Sequence, residues 1–283
     1  MRFGALAVSS LFLSYVLLCS CLSENCNGGT TNGGVDDIIR KALFEKMLPH
    51  ANTDSCHAKG FYTYEALISA AKSYPAFATT DSDVIRKREA AAFLGQTFHE
   101  TTGGTGWKPS DGPYYWGYCY SKELKPPTDY CQQSTSYPCA AGRNYCGRGP
   151  MQLSWNYNYG QYGESIGRKN DLLHDPDLLI KNATMAFEAA LWFWMTPQSP
   201  KPSCHDVMVG NWHGDGEGRL PGYGEITNII NGGIECNKGQ IPEGEDRFGY
   251  YKRYCEMLGV GYGENLDCYH QKSYAIVLLV NSM

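Results

Sequence analysis

Twelve cysteines, ten of them behind an apolar leader, limit what this chain can become. Arg2 precedes the run "FGALAVSSLFLSYVLLC", and the small residues Ser20 and Ser23 close it. A short apolar run at the very start reads as an export signal over 1–23, and not as a membrane anchor. Cleavage there removes Cys19 and Cys21 from the 12, leaving ten: Cys26, Cys56, Cys119, Cys131, Cys139, Cys146, Cys204, Cys236, Cys255 and Cys268. In an oxidising compartment these are expected to be mainly disulfides. No tight CxxC pair occurs among them, which argues against structural zinc.

Charge narrows the function classes. The net charge is −5, and the only dense basic cluster is Arg86-Lys87-Arg88 on a predicted helix, where it reads as a solvated face. A nucleic-acid binder needs a basic stripe, and none is present. Charged residues are 19%, while Tyr reaches 21 and Gly 32, so a compact body with long Tyr- and Gly-rich surface loops is expected. Aromatic faces pack on pyranose rings, so this composition suits a sugar site as well as it suits a Tyr-rich core. The sequon Asn182-Ala183-Thr184 permits a glycan where a predicted helix starts.

Helical patterns dominate the organisation. Residues 24–34, "ENCNGGTTNGG", read as a flexible Gly-rich segment ahead of a folded domain over 35–270, with a tail over 271–283. Helices are expected at 36–48, 64–73, 82–99, 182–196, 222–231 and 243–258. The first would place Ile38, Ile39, Ala42, Leu43, Phe44 and Met47 on one face; the third would be capped from Thr80 or Asp81. Residues 103–150 show little helical pattern, and "GPYYWGYCY" reads as a strand or an extended lobe.

The stretch "FHETTGG", Phe98 to Gly104, carries the chemistry. A zinc protease helix needs a second His four residues after the first, but that position is Gly103, so the zinc reading fails. No G-x-S-x-G elbow, P-loop or dinucleotide fingerprint occurs. Carboxylate chemistry fits better. Glycoside cleavage needs a protonated acid and a second carboxylate across the sugar. Glu100 ends a helix beside Phe98, where desolvation would keep it protonated. Glu123, in "YCYSKELK", could form the opposite wall. Alone, this pairing is weaker than a reading of two surface carboxylates.

The surrounding runs shift that balance. "CHAKGFYTYEALISAA", "KREAAAFLGQTFHETTGG", "WGYCY", "GRGPMQLSWNYNYG", "LWFWMTPQSPKPSCH", "GEITNIINGGIECNKGQ" and "RFGYYKRYCEMLGVGYGENLDC" resemble, in order, the family 19 glycoside hydrolases, the plant chitinases. The resemblance covers about 35–270. It implies a mainly α, lysozyme-like fold of two lobes with a small extended or β lobe. It implies endo-hydrolysis of β-1,4-linked N-acetylglucosamine with inversion, and no cofactor or metal. Carried over by motif, Glu100 is the general acid, Glu123 the base, and Ser154 helps hold the water. His99, Tyr137, Gln152, Tyr157, Asn158, Lys201 and Asn231 match substrate-binding positions, and Glu235 and Arg247 a charged network tuning the acid. The family also implies disulfides Cys56–Cys119, Cys131–Cys139 and Cys236–Cys268.

There are departures. Cys146 stands before "GRGP" where the family usually has Tyr, and Tyr137 where Trp is common. Cys146 could open a gap, alter a subsite or make a new disulfide. No hevein-type chitin-binding domain is seen, so the chain resembles a class lacking one. The end "AIVLLVNSM" resembles vacuolar-sorting tails, favouring the vacuole over plain secretion, and is too short to span a bilayer. The expected partners are chitin and chitooligosaccharides, with no nucleic acid and, for the mature protein, no membrane; the protein itself is expected to be a monomer. The alternative is a catalytically weak chitin-binding or wall-assembly protein.

Overall fold

The first expected helix divides in two. In the computed structural model, which describes residues 33–103 and 114–274, α1 (Val35–Ile38) ends at Ile39 and α2 (Lys41–Met47) begins after Arg40. Arg40 is extended, with φ −72 and ψ 151. The break resets the helical register, so Val35, Ile38 and Ile39 face the core together with Phe44 and Met47. Ala42, expected on that face, is exposed. The proposed export signal, Cys26 and the residues after Tyr274 lie outside the described residues.

The next two expected helices form with side-chain caps. α3 (Tyr64–Ala71) starts where the Thr63 hydroxyl accepts from Ala66 N–H at 3.1 Å. α4 (Asp83–Glu100) is capped by Ser82, which accepts from Ile85 N–H at 3.4 Å, and not by Thr80 or Asp81. Four short helices were not legible: α5 (Asn156–Ser165), α6 (Lys169–His174), α7 (Leu178–Lys181) and, after α8 (Ala183–Met195), α9 (Cys204–Met208). Asn182 of the sequon caps α8 through an acceptor bond from Met185 N–H at 3.0 Å. α10 (Tyr223–Glu235) runs past the expected end at 231, but Asn231 itself is non-helical, with φ −139. α11 (Pro242–Leu258) opens on Pro242 with Glu243 and Glu245 in its first turn and stops at left-handed Gly259, φ 69.

Two cores divide the body. The larger unites α4, α8, α10 and α11 around Phe93, Leu94, Phe98, Phe187 and Tyr254. The smaller lies under α5 to α8, around Tyr145, Tyr159, Leu172, Leu179 and Trp192. α8 serves both, turning Phe187 and Leu191 to the first and Met185 and Trp192 to the second. A buried carboxylate fixes α4 in the larger core: Glu89 accepts from Trp194 Nε1 at 2.9 Å and Ala78 N–H at 2.9 Å, and meets His205 Nδ1 at 2.7 Å.

The segment from Tyr114 to Leu153 is extended and turning, and among the described residues it holds only isolated bridges, Lys122 with Arg148 and Arg148 with Leu153. The extended alternative therefore holds over the strand. The three disulfides implied by the family are formed: Cys56–Cys119, Cys131–Cys139 and Cys236–Cys268. Cys146 makes no disulfide; it is a buried free thiol, as are Cys204 and Cys255. No helix among the described residues is long and apolar enough to cross a membrane.

Candidate active site

Glu100 is the last residue of α4, and the turn after it is stapled to the segment that carries Glu123. The hydroxyl of Thr101 donates to the Thr97 carbonyl at 2.6 Å and accepts from Tyr118 N–H at 2.9 Å. The Thr101 carbonyl accepts from Cys119 and Tyr120, and Gly103 N–H donates to the Trp116 carbonyl at 3.0 Å. A Cβ on Gly103 would sit 2.5 Å from Cys119 Cβ and 2.6 Å from the Tyr120 ring, so only glycine permits this approach. Gly103 thus does more than end a helix: it lets the 116–120 segment lie against the end of α4.

Three residues beyond Tyr120, Glu123 meets the "GRGP" turn. Its N–H donates to the Gly147 carbonyl at 2.9 Å, and Gly147 N–H returns a bond to Glu123 Oε2 at 3.2 Å. Buried Arg148 anchors the turn, donating through Nε to Asp177 at 2.7 Å and through Nη1 to Tyr159 OH at 3.0 Å. Both carboxylates then line one cleft of about 270 Å³, together with Tyr120, Lys122, Leu124 and Gln152.

The environment of Glu100 favours its protonated form. Its side chain is 18% exposed, and Arg247 Nη2 lies 2.6 Å from its Oε1. Burial pushes the Glu100 carboxyl up, Arg247 pulls it down, and the Glu235 charge pushes it up again; the net direction is upward. Burial is the largest of these effects, and the opposing Arg247 is shared. It gives Glu235 two bonds, Nε to Oε2 at 2.8 Å and Nη2 to Oε1 at 2.7 Å, and gives Gln96 a third at 2.7 Å. Asn231, at the kink of α10, donates to Glu235 at 2.6 Å. Burial opposes ionisation of Glu235, but these donors hold it below its usual range. Glu235 takes two of the guanidinium's hydrogen bonds, and Glu100 shares the same Nη2.

His99 sits one residue away and faces a parallel pair. Its Nδ1 is 2.6 Å from Asp246 Oδ2. Burial, and then Arg247, hold His99 well below its ordinary value, so its ring is neutral. Burial pushes Asp246 up to about 7. The sequence did not single out Asp246 or Gln96; each lies beside or within a marked motif, and only the packing of α4 on α11 brings Asp246 to His99 and Gln96 to Arg247.

The other expected residues divide. Gln152 lines the cleft in left-handed backbone, φ 46. Ser154 stands two residues on, its hydroxyl donating to the Gln152 carbonyl at 3.0 Å, and Asn158 donates to the Ser154 carbonyl at 2.9 Å. Tyr157 lies parallel to Trp155, with ring centroids 6.1 Å apart. Lys201 is partly buried and donates to the Ile229 carbonyl at 2.7 Å, just before the kink at Asn231. Tyr137 stands against α5, its hydroxyl donating to Glu164 at 2.8 Å and its ring filling the space above Gly160. Tyr120, Lys122 and Leu124 line the cleft without having been singled out, since nothing in their pattern separates them from loop residues. Among the described residues no cluster of His, Cys, Asp or Glu could hold a metal ion.

The sequence pattern of the family described as chitinase class I, glycoside hydrolase family 19, matches residues 38–268. The chain belongs to that family. An endochitinase 1 of Theobroma cacao is 55% identical over 324 aligned positions, spanning all of both chains. An inactive chitinase-like protein 1 of Hevea brasiliensis is 54% identical, over 96% of this chain and 91% of its own. The crystal structure of a class IV family 19 chitinase from Zea mays superposes with a TM-score of 0.66 at 37% identity, covering 83% of this chain and all of that one. The mainly helical fold described above is therefore the family 19 fold.

Proposed function

We propose that this family 19 member is an endochitinase that cleaves β-1,4 links between N-acetylglucosamine units with inversion. The observation that carries the reading is that Glu100 and Glu123 line one cleft from two chain segments, with burial pushing the Glu100 carboxyl up. Glu100, protonated, gives its proton to the glycosidic oxygen as the bond to the anomeric carbon breaks. A water on the opposite face attacks that carbon and yields a proton to Glu123, with Ser154 helping to hold it. Solvent then returns the proton to Glu100. Such a pair requires about 6.5 to 9.5 Å between carboxyl groups, to admit the water. Gln152, Tyr157, Asn158, His99, Tyr137, Lys201 and Asn231 are assigned to the binding or support of the sugar chain.

The protein is read as a monomeric defence enzyme, made with a leader over 1–23 and directed to the vacuole by the apolar tail, with secretion as the alternative destination. A second reading is supported by the Hevea brasiliensis relative, whose name denotes an inactive protein: a chitin binder with little turnover. A reducing-end assay on chitin oligomers decides between them. Turnover that disappears in Glu100→Gln supports the enzyme. Binding without turnover in the wild type supports the second reading.

A further inference from the structure

The base is held by Tyr130, which lies outside the family motifs, and Tyr130 is packed against Trp155. The Tyr130 hydroxyl donates to Glu123 Oε1 at 3.0 Å, while Gly147 N–H donates to Oε2 at 3.2 Å. Each carboxylate oxygen thus has one fixed donor, which sets the rotation of the group and leaves one acceptor site per oxygen. The Tyr130 ring is met edge-on by Trp155, with centroids 5.3 Å apart and planes at 78°.

The backbone adds a second observation. Tyr130 and Trp155 both lie in left-handed conformation, with φ 52 and φ 74. That region is costly for a large L side chain and persists where the surrounding structure fixes it, often at functional sites. Here the fixing is visible: Asn156 N–H donates to the Tyr130 carbonyl at 3.2 Å, and Trp155 N–H donates to the Tyr145 carbonyl at 2.9 Å. Two unfavourable backbone conformations are thus used to bring two rings together beside one carboxylate. Burial, and then the bond to Glu123, push the Tyr130 hydroxyl up to about 12, so it remains a neutral donor over the pH range in which the protein works.

We propose that Tyr130, braced by Trp155, is a positioning residue that orients Glu123 to receive the proton of the attacking water. The proposal rests on the reading of Glu123 as the base. An oriented carboxylate needs no rearrangement when the water arrives, and the gain appears in kcat rather than in substrate binding.

Tyr130→Phe keeps the ring and its contact with Trp155 and removes only the hydroxyl. On chitin hexamer it is expected to lower kcat roughly 10- to 100-fold, the range of a lost bond to a charged group, with KM within about twofold. The Glu123→Ala background separates positioning from general support. With azide added as a replacement nucleophile, Tyr130→Phe is expected to cost no further activity there, because the group it orients is gone. Trp155→Ala is expected to lower kcat in the wild-type background and to have no effect on kcat in Tyr130→Phe. An unchanged kcat in Tyr130→Phe, or a full second loss in Glu123→Ala, overturns the role of Tyr130. An equal loss for Trp155→Ala in both backgrounds overturns the bracing. Wild-type kcat in Glu123→Ala overturns the reading of the base itself, an outcome distinct from the others.

Discussion

One guanidinium nitrogen serves two carboxylates: Arg247 Nη2 lies 2.6 Å from Glu100 Oε1 and 2.7 Å from Glu235 Oε1. The proton affinity of Glu100 therefore depends on how much of that charge Glu235 takes. In Glu235→Gln the competing charge is gone and Arg247 turns to Glu100. Both changes favour ionised Glu100, so the acid loses its proton at lower pH. The basic limb of the kcat profile is expected to move down, with reduced turnover at neutral pH. A limb that stays or moves up contradicts the sharing. The readout is the pH dependence of kcat on a soluble chitin oligomer.

Glu225 lies away from the cleft and gives a stability test. It is fully buried and accepts from the Tyr274 hydroxyl and from Asn228 at 3.3 Å. Burial pushes it from 4.5 to about 7, against the pull of those donors. An acid raised by folding favours the folded state when protonated. Its contribution is complete below about 4.5 and is lost as pH rises through about 7. Glu225→Gln stays neutral throughout, so urea unfolding between pH 5 and 8 is expected to show a flatter pH dependence, by up to about 3 kcal/mol. An unchanged slope contradicts the assignment.

Lys201 tests whether the kink in α10 supports the acid. Its ammonium takes the Ile229 carbonyl two residues before non-helical Asn231, which in turn holds Glu235. Burial lowers the Lys201 amine, so a neutral side chain is tolerated there, but the bond is not replaced. Lys201→Met is expected to cost about 1–3 kcal/mol in urea unfolding and to lower kcat, since the Asn231 support for Glu235 loosens. A loss confined to KM would instead mark Lys201 as a direct sugar contact.

Cys146, directly before the "GRGP" turn, is a buried thiol, 1% exposed. Burial pushes it up despite Arg148 and Lys122, and burial likewise raises Cys204 and Cys255. A thiol that is both covered and protonated is a poor nucleophile. Peptide mass spectrometry after iodoacetamide treatment is expected to find all three unmodified in the native protein and alkylated in denaturant. Native labelling of Cys146 contradicts its burial.

Where the sequence was legible, one period or one motif carried the signal. α4, α8 and α11 have apolar rows or clear stop residues, Glu100 and Gln152 lie inside long specific runs, and Glu123 follows three residues after the short run "WGYCY". α5 was not legible because its buried residues are Asn156, Asn158, Tyr159, Gly160, Tyr162 and Gly163, a set with poor helix propensity. Its glycines are set by tertiary contact, with the Tyr137 ring over Gly160 and the Lys169 backbone against Gly163. The same limit hid Tyr130 and Asp246. Each acts through a partner on another element, Glu123 and His99, and no local pattern records a contact made by packing. Tyr137 shows the converse: the motif marks a binding position, while the structure sets its hydroxyl on Glu164 and its ring on α5.

The central claim is that Glu100 and Glu123 act across one cleft as acid and base. The most direct measurement is NMR of the products formed from chitin hexamer in the first minutes of reaction. The expected result is α-anomer at each new reducing end, abolished in Glu100→Gln and strongly reduced in Glu123→Gln. Initial β-anomer, or wild-type turnover in either variant, would contradict the account.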